Sequence, residues 1–210
     1  MARRIATAVV GIPVLAYAAT SVSFVPIAVI CLALGVLIVL EIARVRFQLG
    51  WIVFWLCGVA GVLAIALRHS NVSSGLFTCT PSPLMLFLAV IWAGDTMAML
   101  IGSLSGRHKF APTISPNKTW EGAVANLVSA SAAGWLLAPL GAVSHEQGLG
   151  VGVLSGFFGQ AGDLIESAWK RQHAIKDSGS LLPGHGGVLD RFDSALFAAP
   201  FVALFLSLLS

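Results

Sequence analysis

Apolar residues in this chain come in long runs rather than in alternation, and most of the charge is gathered in the short polar segments between them. A bilayer core about 30 Å thick takes roughly 20 helical residues to cross, and the backbone must pair its own N–H and C=O groups there. On that ruler residues 5–40 carry no charge and could make two short or tilted passes, with Thr20, Ser21, Ser23 and Pro26 at the turn between them. Residues 49–67, 84–104, 123–143, 149–165 and 195–210 follow as further spans, with Asp95 inside one and Asp163 near the end of another. The pattern predicts an all-α, polytopic integral membrane protein of about seven transmembrane helices. Arg3, Arg4, Arg44, Arg46, Arg107, Lys109, Lys118, Lys170, Arg171, Lys176 and Arg191 then fall on one side, and Arg68 on the other. By the positive-inside rule the N-terminus and the loops 105–122 and 166–193 are expected in the cytoplasm, with 68–82 and 144–148 outside.

Composition supports lipid as the solvent. The chain is 57% hydrophobic and 10% charged, against about 25% charged in soluble proteins, and its mean hydropathy is +0.90. A soluble globular domain, a disordered chain, a nucleic-acid-binding module and a disulfide scaffold are poor readings of such numbers. The net charge of +3 has a topological reason in a membrane protein, so charge position matters more than the total. Cys31, Cys57 and Cys79 show no CxxC spacing, and neither disulfides nor a cysteine metal site is expected. Arg3-Arg4 and Ala16-Tyr17-Ala18 outline a cleavable signal, but the apolar runs that follow favour a retained span. Gly152 and Gly156 form a small-xxx-small pair, read first as close helix packing. Residues 1–210 are taken as one membrane domain, with N-terminal spans over 1–104 and the chemistry in 105–210.

Residues 163–193 hold Asp163, Glu166, Asp177, Asp190 and Asp193 together with Lys170, Arg171, Lys176, Arg191, His173 and His185. On a helix Asp163, Glu166 and Lys170 share one face, and Glu166 with Lys170 could be no more than an i,i+4 ion pair at a helix end. That reading leaves out Asp163, an ionisable group near membrane depth, and the acids that return in Asp190-Arg191-Phe192-Asp193. Two carboxylates from separate segments suit a hard cation such as Mg²⁺, which takes oxygen ligands and is held by one or two carboxylates plus substrate phosphates. The basic residues beside them would neutralise polyphosphate oxygens, so phosphoryl chemistry is the expectation. The glycines of Pro183-Gly184-His185-Gly186-Gly187 permit positive φ and close approach to a ligand, although on these glycines alone a mere turn before a helix is the better reading. Ser115, Lys118 and Thr119 could donate to phosphate, or Thr119 or Asn117 could simply cap the next helix. No GxxxxGK[ST] is present, which excludes a P-loop. For Asp95 a proton relay, a polar helix contact and a site edge all stay open.

The string from Ser167 through Lys170-Arg171, Lys176-Asp177, Pro183-Gly-His185-Gly-Gly and Asp190-Arg191-Phe-Asp193 resembles the signature of the phosphatidate cytidylyltransferase, or CDP-diacylglycerol synthase, family. Gly159-Gln-Ala-Gly162-Asp163-Leu-Ile-Glu166-Ser167, Ser115-Pro-Asn-Lys118-Thr119-Trp120-Glu121-Gly122 and the Arg3-Arg4 start resemble it too. The sequence departs from the family at Met99, where a tyrosine is usual, and at Ser103, where a basic residue is common. The resemblance implies a bacterial inner-membrane enzyme that condenses CTP with phosphatidate, using Mg²⁺ and a monovalent ion such as K⁺, as a homodimer with its site on the cytoplasmic side and no nucleic-acid partner. It implies Asp163 and Asp190 as the metal pair, with Asp177 and Asp193 as outer-shell or additional ligands. Lys176, Asp177 and Arg191 join that pair as catalytic residues, while Ser115, Lys118, Thr119, Lys170, Arg171, His185 and Gly186 would bind substrate. Rival readings are a CTP-dependent enzyme for an isoprenoid ether lipid or a polyprenol, and, more remotely, an ion-coupled secondary transporter.

Overall fold

The computed structural model describes residues 25–45, 48–68, 82–179 and 186–209. The expected first span, with Arg3, Arg4 and Ala16-Tyr17-Ala18, lies outside the described residues, as do Arg46, Cys79 and residues 69–81 of the expected outer loop. In chain order the elements are α1 Val25–Val45, α2 Leu49–Ala66, α3 Pro83–Ser105, β1 Lys109–Ala111, β2 Ser115–Thr119, α4 Trp120–Leu136, a 3-10 turn at Ala138–Gly141, α5 His145–Gln172 and α6 Leu189–Leu208.

The helices neighbour one another in the order α1, α2, α6, α5, α4, α3, and α5 also reaches α3. The last helix is thus inserted between the two N-terminal ones and the rest. Ile38, Ile42, Trp55, Ile65, Phe87 and Val202 lie in the core, while Val29, Leu32, Val36, Val53 and Leu204 stand exposed on the outer faces. Helices that are apolar inside and out are those of a lipid-solvated protein. Among the described residues α1, α2, α3 and α6 are long and apolar enough to cross a membrane. The chain is therefore a mostly helical membrane protein.

Several boundaries differ from expectation, each for a local reason. Pro26 sits in the first turn of α1 rather than in a loop, a position where its missing N–H costs no helical bond. The helix expected over 123–143 begins at Trp120 behind the Thr119 cap and ends at Leu136. Pro139 then takes part in the 3-10 turn, and Ala142 follows in the left-handed region at φ 51. Residues 145–148, expected in an outer loop, are the first turn of α5, started by a capping box in which Ser144 and Gln147 satisfy each other's backbone N–H groups. That helix continues for 28 residues, through Lys170. At the other end, α6 begins at Leu189, so Asp190 and Asp193 belong to the helix. The all-α expectation also acquires an antiparallel ribbon, β1 with β2, pairing Lys109 with Thr119 and Ala111 with Ser115.

Glycines decide how closely α4 and α5 meet. A Cβ on Gly148 would run into the Gly134 carbonyl and stand 2.8 Å from the Ala138 methyl, and one on Gly152 would meet the backbone of Ala130 and Ser131. The small-residue stripe is helix packing, in keeping with its first reading.

Candidate active site

The ribbon is built by a turn and pinned by α4. Pro112 follows Ala111, whose carbonyl accepts from Ile114 N–H at 3.1 Å, and proline pre-sets the φ of such a turn. Phe110 meets Trp120 edge-on with ring centroids 4.4 Å apart. His108 Nδ1 lies 2.7 Å from Glu121 Oε1. The hydrogen bonds that Glu121 accepts from its own backbone N–H and from His108 hold its carboxyl down at about 2. Thr119 Oγ1 accepts from Gly122 N–H at 3.2 Å and so caps α4. These contacts deliver Lys118 to Asp163 on α5, where Nζ stands 2.7 Å from Oδ2. Ser167 Oγ donates to the other oxygen of Asp163 at 3.3 Å.

A second set forms where α5 ends and α6 begins. Lys170 Nζ is 2.6 Å from Glu166 Oε2 and 2.7 Å from Asp190 Oδ1, with Glu166 fully buried. Asp190 also accepts from Ser178 N–H, at 3.1 and 2.9 Å to its two oxygens, and from Gly187 N–H at 2.8 Å. Both of its oxygens are engaged, so Asp190 ties the chain around residues 178 and 187 to Lys170. Gly186 adopts φ +84, a conformation open to glycine.

A third set lies across the helices. Asn126 of α4 is buried and donates to Asp95 of α3 at 3.2 Å. Gln160 of α5 donates to the carbonyls of Ala123 and Gly156, at 3.1 Å each. The three sets border one cleft of about 850 Å³, lined among others by Asp95, Lys118, Asp163, Lys170, Asp190 and Asp193. Asp95 of α3, Asp163 of α5 and Asp193 of α6 thus face the same cleft from three helices. Among the described residues no cluster of three or more His, Cys, Asp or Glu forms a ready-made metal cage. The donor set is nonetheless oxygen-only and anionic, with a lysine on Asp163 and on Asp190. It fits a hard cation that shares its ligands with phosphate and water better than one enclosed by protein.

Residues 2–209 match the Cytidylyltransferase family. The chain belongs to that family. It is similar to a phosphatidate cytidylyltransferase of Staphylococcus aureus (strain COL), 44% identical over 124 residues that cover 56% of this chain and 46% of the relative. A phosphatidate cytidylyltransferase of Bacillus subtilis (strain 168) is 46% identical over 124 residues, covering 58% of this chain and 46% of the relative. The match thus spans about half the length of these relatives.

Of the residues singled out in the sequence, the cleft is lined by Asp95, Lys109, Asn117, Lys118, Thr119, Asp163, Lys170, Asp190, Arg191 and Asp193. The departures Met99 and Ser103 line it too. Ser115 lies farther along β2. Arg171 is directed elsewhere, donating to the Ile114 carbonyl at 3.2 Å and the Ile175 carbonyl at 3.2 Å, which fastens the ribbon to the end of α5. Lys176 and Asp177 are exposed in the segment after α5. Pro183, Gly184 and His185 lie outside the described residues. Sequence reasoning passed over Asn126, Gln160 and Glu41. The signal for Glu41 was available, because an ionisable residue closing an uncharged apolar run is a functional candidate in a membrane helix.

Proposed function

We propose that the chain transfers the cytidylyl group of CTP to phosphatidate, giving CDP-diacylglycerol and pyrophosphate. The observation that carries this reading is the cleft itself. Two lysine–carboxylate pairs, Lys118 with Asp163 and Lys170 with Asp190, meet there among helices whose outer faces are apolar, in a chain of the Cytidylyltransferase family. A lipid phosphate can reach such a cleft while its tails stay in hydrocarbon.

In the reaction a phosphatidate oxygen attacks the α-phosphorus of CTP in line, the bond to the β-phosphate oxygen breaks, and pyrophosphate departs. Asp163 and Asp190 would hold Mg²⁺, with Asp193 and Asp177 as outer partners and K⁺ as a second cation. Bound Mg²⁺ supplies neutralisation of the triphosphate and of the charge that develops on the leaving group. Lys118 and Lys170, now on the carboxylates, would turn to phosphate oxygens, and Arg191 would grip the triphosphate. Ser115 and Thr119 would line the lipid phosphate's entry, while Lys176, His185 and Gly186 after α5, and Arg171 at the end of α5 once released from the Ile114 and Ile175 carbonyls, would bind CTP. The phosphate nucleophile is already ionised near neutral pH, so no general base is required. We place this site on the cytoplasmic face of a bacterial inner membrane, in a homodimer with a cytoplasmic N-terminus and about seven spans.

The test is incorporation of labelled CTP into chloroform-soluble lipid by purified protein with phosphatidate, with and without Mg²⁺. Mg²⁺-dependent CDP-lipid supports the reading. Product from an isoprenoid ether lipid or a polyprenol alone would move the substrate, and ion flux in proteoliposomes without nucleotide would replace the enzyme by a transporter.

A further inference from the structure

Glu41 stands near the C-terminal end of α1, away from the cleft, and is fully buried. A buried carboxylate is costly unless donors surround it. Here Val188 N–H donates to Oε1 at 2.7 Å, Leu189 N–H to Oε2 at 3.0 Å and Ser178 Oγ–H to Oε2 at 3.0 Å. The first two are orphan donors at the start of α6, where Val188 occupies the cap position and offers no side-chain acceptor of its own. Glu41 therefore caps α6 from another helix, with its negative charge at the positive end of the α6 dipole.

The third bond reaches the segment that follows α5. Ser178 and Gly187 are the residues whose N–H groups hold Asp190, and both lie against Glu41. A Cβ on Gly179 or Gly187 would stand 2.8 Å from a Glu41 oxygen, so these glycines answer to Glu41 and not only to a ligand. One carboxylate thus fastens both chain segments that position Asp190, which in turn holds Lys170 at the cleft.

We infer that Glu41 is a positioning residue for cytidylyl transfer, acting through the start of α6 and Ser178 to fix Asp190 and Lys170. The inference rests on the function proposed above. It also gives the N-terminal helices a part in the chemistry that no motif in 105–210 reveals.

The test compares Glu41→Gln with Ile38→Ala, which empties packing on the same helix. Glutamine keeps the shape but turns an N–H₂ toward Val188 N–H or Leu189 N–H, leaving one buried donor unpaired. In full-length protein, Glu41→Gln should lower kcat about tenfold or more per folded enzyme while KM for CTP moves less than about threefold. Hydrogen exchange measured by mass spectrometry should quicken about tenfold in peptides covering 174–179 and 186–192. Ile38→Ala should lower Tm without that kcat loss or that localised exchange. Ser178→Ala, which removes one donor, should lower kcat about threefold and carries the test if Glu41→Gln fails to fold. Wild-type kcat in Glu41→Gln, or a kcat loss matched by Ile38→Ala, would overturn the inference. If wild-type protein makes no CDP-lipid, the reaction is wrong and the exchange measurement alone decides whether Glu41 fastens these segments.

Discussion

The pair α1–α2 and the group α3–α6 solve the same solvent problem differently. On α1 and α2, Leu32, Val36 and Val53 face outward while Ile38, Trp55 and Val62 face inward, so hydrophobicity barely separates inside from outside. Between α4 and α5 the contact is backbone against backbone at Gly134, Gly148 and Gly152, with Gln160 donating across the seam to the Ala123 carbonyl and Asn126 of α4 donating to Asp95 of α3. Lipid tails are as apolar as leucine, so close packing and buried polar pairs are what hold helices together. The difference teaches where specificity resides. The N-terminal pair is an apolar frame fixed to α6 at Gly58, Gly61 and Glu41, while the seam between α4 and α5 adds polar bonds to its close glycine packing.

The largest test of that contrast is Lys170→Met. Removing the cation leaves the buried Glu166 beside Asp190 with no counter-charge, and we expect a loss of about 3–5 kcal/mol, read as a lower Tm in detergent. Preserved Tm would mean that the trio is dispensable. Asp163→Asn should keep Tm and cut the cytidylyl-transfer rate about 100-fold or more, because it removes a carboxylate proposed for the metal; unchanged turnover would remove Asp163 from that role. Gly148→Ala should cost about 1–3 kcal/mol by forcing α4 and α5 apart, and thermal unfolding would show it. Against these, Leu32→Ala on the exposed face of α1 (71% exposed) should change stability by less than about 0.5 kcal/mol. A larger loss would show that this face is covered by protein rather than lipid.

Much of the helical frame was legible. Apolar runs placed α2 and α3 almost to the residue, because both helices are uncharged enough for the bilayer ruler to see their full length. The same ruler truncated α5 and α6, whose ends carry Glu166, Lys170, Asp190 and Asp193, since it counts only what hydrocarbon would accept. The face shared by Glu166 and Lys170 was legible from helical spacing and is an ion pair in the structure. Thr119 was legible as a cap because its hydroxyl acts locally. Asp163 with Lys118, and Lys170 with Asp190, were not legible as pairs. Spacing along one helix cannot say which residue another segment brings alongside it.

The chain's own sequence determined that this is a helical membrane protein and that residues 163–193 concentrate its carboxylates, lysines and arginines. Those conclusions depend on composition and local periodicity, which each segment carries alone. The tertiary structure decided that Asp190 ties down its own neighbourhood while Asp163 receives Lys118 from the ribbon, and that Glu41 caps α6 from a helix remote in sequence. A buried polar group takes whichever donor folding brings within reach, and that choice is made between elements rather than within them.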